Sequence, residues 1–164
     1  MNSSSPAAAT FHDLVQSNRA RLWGIARAYG GTEADDLLQE MLLALWKALP
    51  GYRGDSQLAT WCYRVALNTA ASWNRGQTRR RVRERGRAAS SLIQTSPGSG
   101  GHEESLLVKF LAGLAETDRA CLTMYLDDLD TTEMAQILGI SDGAVRMRLH
   151  RIKQKLAEWE PLDT

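Results

Sequence analysis

Arg146, Arg148, His150, Arg151 and Lys153 crowd into one short stretch near the end of a 164-residue chain. No acid interrupts residues 146–155, which hold five Lys or Arg side chains. Guanidinium forks match the O6 and N7 acceptors on the edge of guanine, and ammonium groups neutralise phosphates. The chemistry on offer is recognition of duplex nucleic acid, provided one rigid element holds these cations on a common face. Val145, Leu149, Ile152 and Leu156 recur at spacings of 4, 3 and 4, which predicts a helix with those residues inward and the cations outward. Just upstream, Asp130 and Glu133 make a D-x-x-E capping pair for a shorter helix whose apolar side is Met134, Ala135, Ile137 and Leu138. Gly139 supplies a turn with positive φ, and Ser141 caps the basic helix. A bracing helix, a glycine turn and a basic second helix make a helix-turn-helix. A solvated basic face on a plain helical hairpin is the bland alternative. The agreement of cap, glycine, apolar register and charge favours DNA.

Two further faces are candidates for binding. Asp36, Gln39, Glu40, Leu43 and Lys47 stand at offsets 0, 3, 4, 7 and 11. They oppose a stripe formed by Leu38, Met41, Leu42, Leu45, Trp46 and Leu49. Acids suit a helix start, but Leu43 interrupts an otherwise polar face. Arg64, Asn68 and Arg75 line the outer side of a third helix, opposite Leu58, Trp61, Cys62, Val65, Ala66, Thr69 and Trp73. A turn-rich loop holding Arg53 and Ser56 precedes that helix, which is expected to run to about Arg75, the arginine run beyond it being read as linker or as a frayed continuation of the helix. Trp61, Trp73, Cys62 and Cys121 all sit on apolar stripes and read as core. The sequence offers no nucleophile-base set, phosphate loop or clustered metal ligands, so neither catalytic nor metal residues are assigned and no cofactor is expected.

Periodicity is helical almost throughout, and the expected fold is all-α. The first helix is expected over residues 11–29 with Leu14, Val15, Leu22, Ile25 and Ala26 inward, ended by Gly30-Gly31, with Thr32 as the next N-cap. Residues 1–10 read as a disordered N-terminus, 11–76 as a first helical domain, and 77–104 as a basic then Ser/Gly-rich flexible linker. Residues 105–158 read as a second helical domain and 159–164 as a tail. The net charge of +1 is an average over unlike parts: residues 75–101 hold seven arginines against Glu84 alone. A hydrophobic share of 43% and a charged share of 24% exclude a wholly disordered chain. The longest apolar run is too short to insert in a bilayer, and no secretion signal is read at the start. A cytoplasmic location follows.

The stretch LDTTEMAQILGISDGAVRMRLHRIKQKLA resembles region 4 of sigma-70 family RNA polymerase sigma factors. EADDLLQEMLLALWKAL, followed by YRGDSQLATWCYRVALNTAASWNR, resembles region 2, with its Gln-Glu after an acidic-Leu pair, its Thr-Trp, and Asn68 seven residues before Arg75. Two such regions with only a linker between them resemble the extracytoplasmic-function (ECF) group. The resemblance implies a region 2 helical bundle that docks on the clamp of the largest subunit of core RNA polymerase through Asp36, Gln39, Glu40, Leu43 and Lys47. It implies −10 contacts from Arg53, Ser56, Arg64, Asn68 and Arg75, and −35 contacts from Arg146, Arg148, His150, Arg151 and Lys153. It further implies promoter melting, an anti-sigma partner and no enzymatic activity. The alternative is a stand-alone helix-turn-helix regulator with an N-terminal interaction domain. The arginine run at residues 79–87 is the least family-like part. It reads either as a solvated charge run or as an extra contact with promoter backbone or nascent RNA.

Overall fold

A computed structural model of the chain describes residues 6–88 and 106–159. These form seven α-helices and, among the described residues, no strand. Helices α1 (Pro6–Gly30), α2 (Ala34–Ala48) and α3 (Leu58–Ala88) make the first bundle. Helices α4 (Leu106–Gly113), α5 (Glu116–Leu126), α6 (Thr131–Leu138) and α7 (Asp142–Glu158) make the second.

Several boundaries differ from the sequence expectation. Helix α1 begins at Pro6 and takes in part of the stretch expected to be disordered. Proline suits the first helical position, and the three alanines after it are strong helix formers. Thr32 is not an N-cap: Gly31–Glu33 forms a single 3₁₀ turn, and α2 starts after Glu33 without a side-chain cap. Helix α3 does not stop near Arg75 but runs on through the arginine-rich residues to Ala88, so the first part of the expected linker is helical. Arginine is a good helix former, and Arg80 pairs with Glu84 one turn on, Nε to Oε1 3.2 Å. The Ser/Gly-rich stretch at 95–101, residues 1–5 and the tail beyond 159 lie outside the described residues.

The core of the first bundle is built on Leu22, Ile25, Leu37, Met41, Leu45 and Cys62, all essentially inaccessible. In α2 the deepest line is Leu37, Met41 and Leu45, with Leu38, Leu42 and Leu49 packed at its flanks. Trp46, expected inward, is 47% exposed and lies edge-on to Phe11, ring centroids 5.1 Å apart. The 3.6-residue period places Trp46 at the rim of the stripe, where an indole too large for the core turns outward. The second bundle closes around Cys121, Met124, Met134, Val145 and Ile152. Leu156, also expected inward, is exposed at the end of α7. Both cysteines are buried, and burial pushes each thiol up to about 11, as befits small apolar residues and not reactive thiolates.

Candidate functional site

The α6–α7 hairpin is set by local capping. The Asp130 carboxylate accepts from the backbone N–H groups of Thr132 and Glu133, both at 2.8 Å, and the Glu133 carboxylate accepts from the Asp130 N–H at 3.3 Å. Gly139 takes the left-handed conformation at φ 68°, which a residue with a Cβ adopts only at a cost. Ser141 Oγ then accepts from the Ala144 N–H, and the Thr132 hydroxyl ties the start of α6 to Asp142 at 3.0 Å. Val145, Leu149 and Ile152 anchor α7 to the core. Arg146, His150, Arg151 and Lys153 consequently stand exposed on its outer face. The ammonium of Lys153 rests 4.7 Å from the Tyr125 ring centroid.

Arg148 differs from its neighbours. It is half-buried and its Nη1 lies 2.9 Å from Oδ1 of Asp118, itself a buried residue of α5. Lys155 reaches the second carboxylate oxygen at 3.7 Å. The pair fixes the Arg148 stem against the second bundle, and a nucleobase would compete with Asp118 for the fork.

On the first bundle the five α2 residues form one accessible ridge: Asp36, Gln39, Glu40, Leu43 and Lys47 are all exposed. Leu43 is 45% exposed and, with Trp46 one turn on, gives the ridge an apolar centre that the sequence pattern located only at Leu43. The loop between α2 and α3 exposes Arg53 and half-buries Ser56. The Tyr52 hydroxyl donates to the Ser56 carbonyl, and the Tyr52 ring sits 5.3 Å from that of Trp61. Trp61 thus supports the loop from beneath.

The α3 face is partly occupied by the second bundle. Arg64 donates from Nη2 to the Gln136 carbonyl of α6 at 2.9 Å, while its Nε is buried without a partner. Arg75 Nη1 pairs with Glu116 of α5 at 2.7 Å, and its Nη2 bonds Ser72. Between them, the buried Tyr63 hydroxyl donates to Asp127 Oδ2 at 2.7 Å. Asp127 packs so closely on α1 that a Cβ at Gly24 would come 3.3 Å from its Oδ1. The Arg119 guanidinium lies 5.2 Å from the Tyr29 ring centroid. Asn68 alone of the three α3 candidates remains exposed without an arginine-type tie to the second bundle. The structure therefore brings Arg64, Asn68 and Arg75 to one helix flank, but two of them also fasten the bundles together. Among the described residues no group of three or more His, Cys, Asp or Glu is arranged to hold a metal ion.

Residues 14–80 match the sequence profile of sigma-70 region 2, and residues 105–156 match that of sigma-70 region 4. The chain belongs to the ECF group of the sigma-70 family. It is 29% identical over 156 residues to the ECF RNA polymerase sigma factor SigG of Mycobacterium tuberculosis (strain ATCC 25618 / H37Rv), covering 79% of this chain and 42% of SigG. It therefore spans less than half the length of that relative. It is 28% identical over 148 residues to the ECF RNA polymerase sigma-E factor of Escherichia coli (strain K12), covering 80% of this chain and 76% of the relative. Among solved structures, CnrH in complex with the cytosolic domain of CnrY superposes with a TM-score of 0.66 at 24% identity, over 90% of this chain and 85% of that one. RpoE in complex with the anti-sigma factor NepR from Bartonella quintana gives a TM-score of 0.62 at 24% identity, over 89% and 95%. These two likenesses show the fold. In this sigma-family chain the first bundle is region 2 and the second is region 4.

Proposed function

We propose that the chain is a promoter-specificity subunit that binds core RNA polymerase and directs it to a defined class of promoters. The observation that carries this reading is the pairing of two surfaces on one chain of sigma architecture. One is the exposed α2 ridge with an apolar centre at Leu43 and Trp46; the other is the exposed cationic face of α7. Exposed apolar side chains rimmed by charge are what a protein-docking surface needs. Asp36, Gln39, Glu40, Leu43 and Lys47 dock on the clamp of the largest polymerase subunit. Arg146, Arg148, His150, Arg151 and Lys153 read the −35 element in the major groove.

The loop residues Arg53 and Ser56, with Arg64, Asn68 and Arg75, engage the −10 element and stabilise its opened strand. An unstacked base needs an adaptable polar pocket, which the loop at residues 52–57 can form. Because Arg64 and Arg75 contact region 4, full −10 engagement requires the two regions to separate along α3. The polymerase carries the catalysis, and this chain supplies recognition and strand opening. An anti-sigma partner covering the polymerase-binding face completes the reading. No described helix is long and apolar enough to cross a membrane, and the proposed site of action is the cytoplasm.

Run-off transcription with core polymerase, with and without the chain, on genomic fragments tests this. Specific start sites should arise only when the chain is added, and Leu43→Asp should abolish them while leaving the fold intact. Tight operator binding by the chain alone, with no effect on initiation, would favour a stand-alone regulator.

A further inference from the structure

The arginine-rich end of α3 is left unused by the site described above. Gln77, bonded to Glu33 at 2.6 Å, ties the helix to the rest of region 2. Beyond it Thr78, Arg79, Arg80, Val82, Arg83 and Glu84 are all exposed. Residues 75–88 hold seven arginines and one glutamate. Arginines one turn apart, such as Arg79 and Arg83, repel each other and weaken a helix that also contains Gly76. A polyanion lying along the helix would remove that repulsion.

We propose that this arm, through Arg79, Arg80 and Arg83, binds the phosphate backbone of the double-stranded DNA between the two promoter elements. The proposal rests on the function given above. Two features select duplex DNA. The arm continues the axis of the helix that carries Asn68 and Arg75, so DNA leaving those residues meets it next. Residues 75–88 contain no aromatic side chain and no histidine, whereas single-stranded nucleic acid is held largely by stacking on aromatic rings. At 1.5 Å per residue, residues 75–87 extend about 18 Å, which matches about five base-pair steps of 3.4 Å.

The test is promoter binding by the holoenzyme, followed by fluorescence anisotropy between about 50 and 200 mM salt. Arg79→Gln, Arg80→Gln and Arg83→Gln combined should weaken binding about tenfold at 100 mM salt and lower the salt slope by about two to three. The matching triple lysine variant should keep the slope, since phosphate contacts ask for charge and not for a fork. Neutral methylphosphonate linkages placed in the spacer just upstream of the −10 element should weaken the unaltered holoenzyme and have no further effect on the glutamine variant. Unchanged affinity and slope in the glutamine variant, with normal binding by the unaltered chain, overturns the arm alone. So does a defect that arises only once RNA is being made, which would point to an RNA contact. Absence of promoter binding by the unaltered holoenzyme overturns the arm and the proposed function together.

Discussion

Helices α3 and α7 carry similar side chains to opposite ends of the same proposed task, yet their surroundings differ. On α7 the cations stand clear of region 2, and the tied one, Arg148, is held by region 4 itself through Asp118. On α3, Arg64 and Arg75 are held by the other region, through Gln136 and Glu116. The proposed −35 reader is thus assembled within its own bundle, whereas the proposed −10 flank doubles as the seam between bundles. A single helix face can serve both uses only by exchanging partners. On the proposed function, region 4 and promoter DNA compete for Arg64 and Arg75, and anything that weakens the seam should favour DNA.

The sharpest contrast is at Arg148. If its fork reads a base, Arg148→Ala should cost about 1–3 kcal/mol in promoter binding and relax specificity at one −35 position. Equal losses on promoter and scrambled −35 DNA would reduce Arg148 to a structural partner of Asp118. Asp118→Asn separates the two roles: it weakens the ion pair yet leaves Arg148 in place for DNA. Affinity for the correct −35 sequence should hold or rise while thermal stability falls.

Next comes the seam. Tyr63→Phe removes the hydroxyl that faces the Asp127 carboxylate and should destabilise the compact form by about 1–2 kcal/mol, measured by denaturant titration. Burial raises the Asp127 carboxyl above its ordinary range, opposed by the Tyr63 hydrogen bond and by Arg21, with Asp128 adding to the rise. A carboxyl raised on folding binds more protons in the folded state than in the unfolded state. Its contribution is therefore fully present below the unfolded value and is lost as pH rises through the folded one. The seam should tighten on mild acidification. Asp127→Asn keeps an acceptor for Tyr63 and should flatten that pH dependence, read by fluorescence transfer between labels on the two regions.

Lys153 gives a smaller effect on the α7 side. Lys153→Ala should weaken binding equally on any sequence and lower the salt slope by about one. A loss confined to one −35 sequence would make it a base reader.

What was legible in the sequence follows the same division. The turn between α6 and α7 was readable because each of its devices is local: Asp130 with Glu133, Gly139, and Ser141 act over three or four residues. The polar ridge of α2 was readable because it is the complement of a strong apolar stripe. Trp46 and Leu156 were misplaced because each lies at the stripe's edge, where period alone does not distinguish rim from core. The Arg64–Gln136 and Tyr63–Asp127 contacts were not legible, since each joins residues more than sixty positions apart. No local pattern encodes which polar groups will meet across two separately folded bundles. Continuation of α3 past Arg75 was obscured by composition, because an arginine run suits a solvated helix as well as a linker.

Arg75 supplies the finest discrimination. Its ion pair with Glu116 is short, but both side chains are about half exposed, 54% and 44%. Water and salt screen such a pair, and its net value is about 0–1 kcal/mol. Arg75→Ala should hence leave the unfolding midpoint nearly unchanged, while −10 binding by the holoenzyme falls several-fold. Glu116→Gln cuts the same seam contact from the other side and leaves Arg75 free, so −10 binding should hold or improve. If the two substitutions instead lower promoter binding alike, Arg75 acts by fastening region 4 and not by touching DNA. The α3 flank would then be chiefly a seam, and −10 recognition would fall to Asn68 and the loop bearing Arg53 and Ser56.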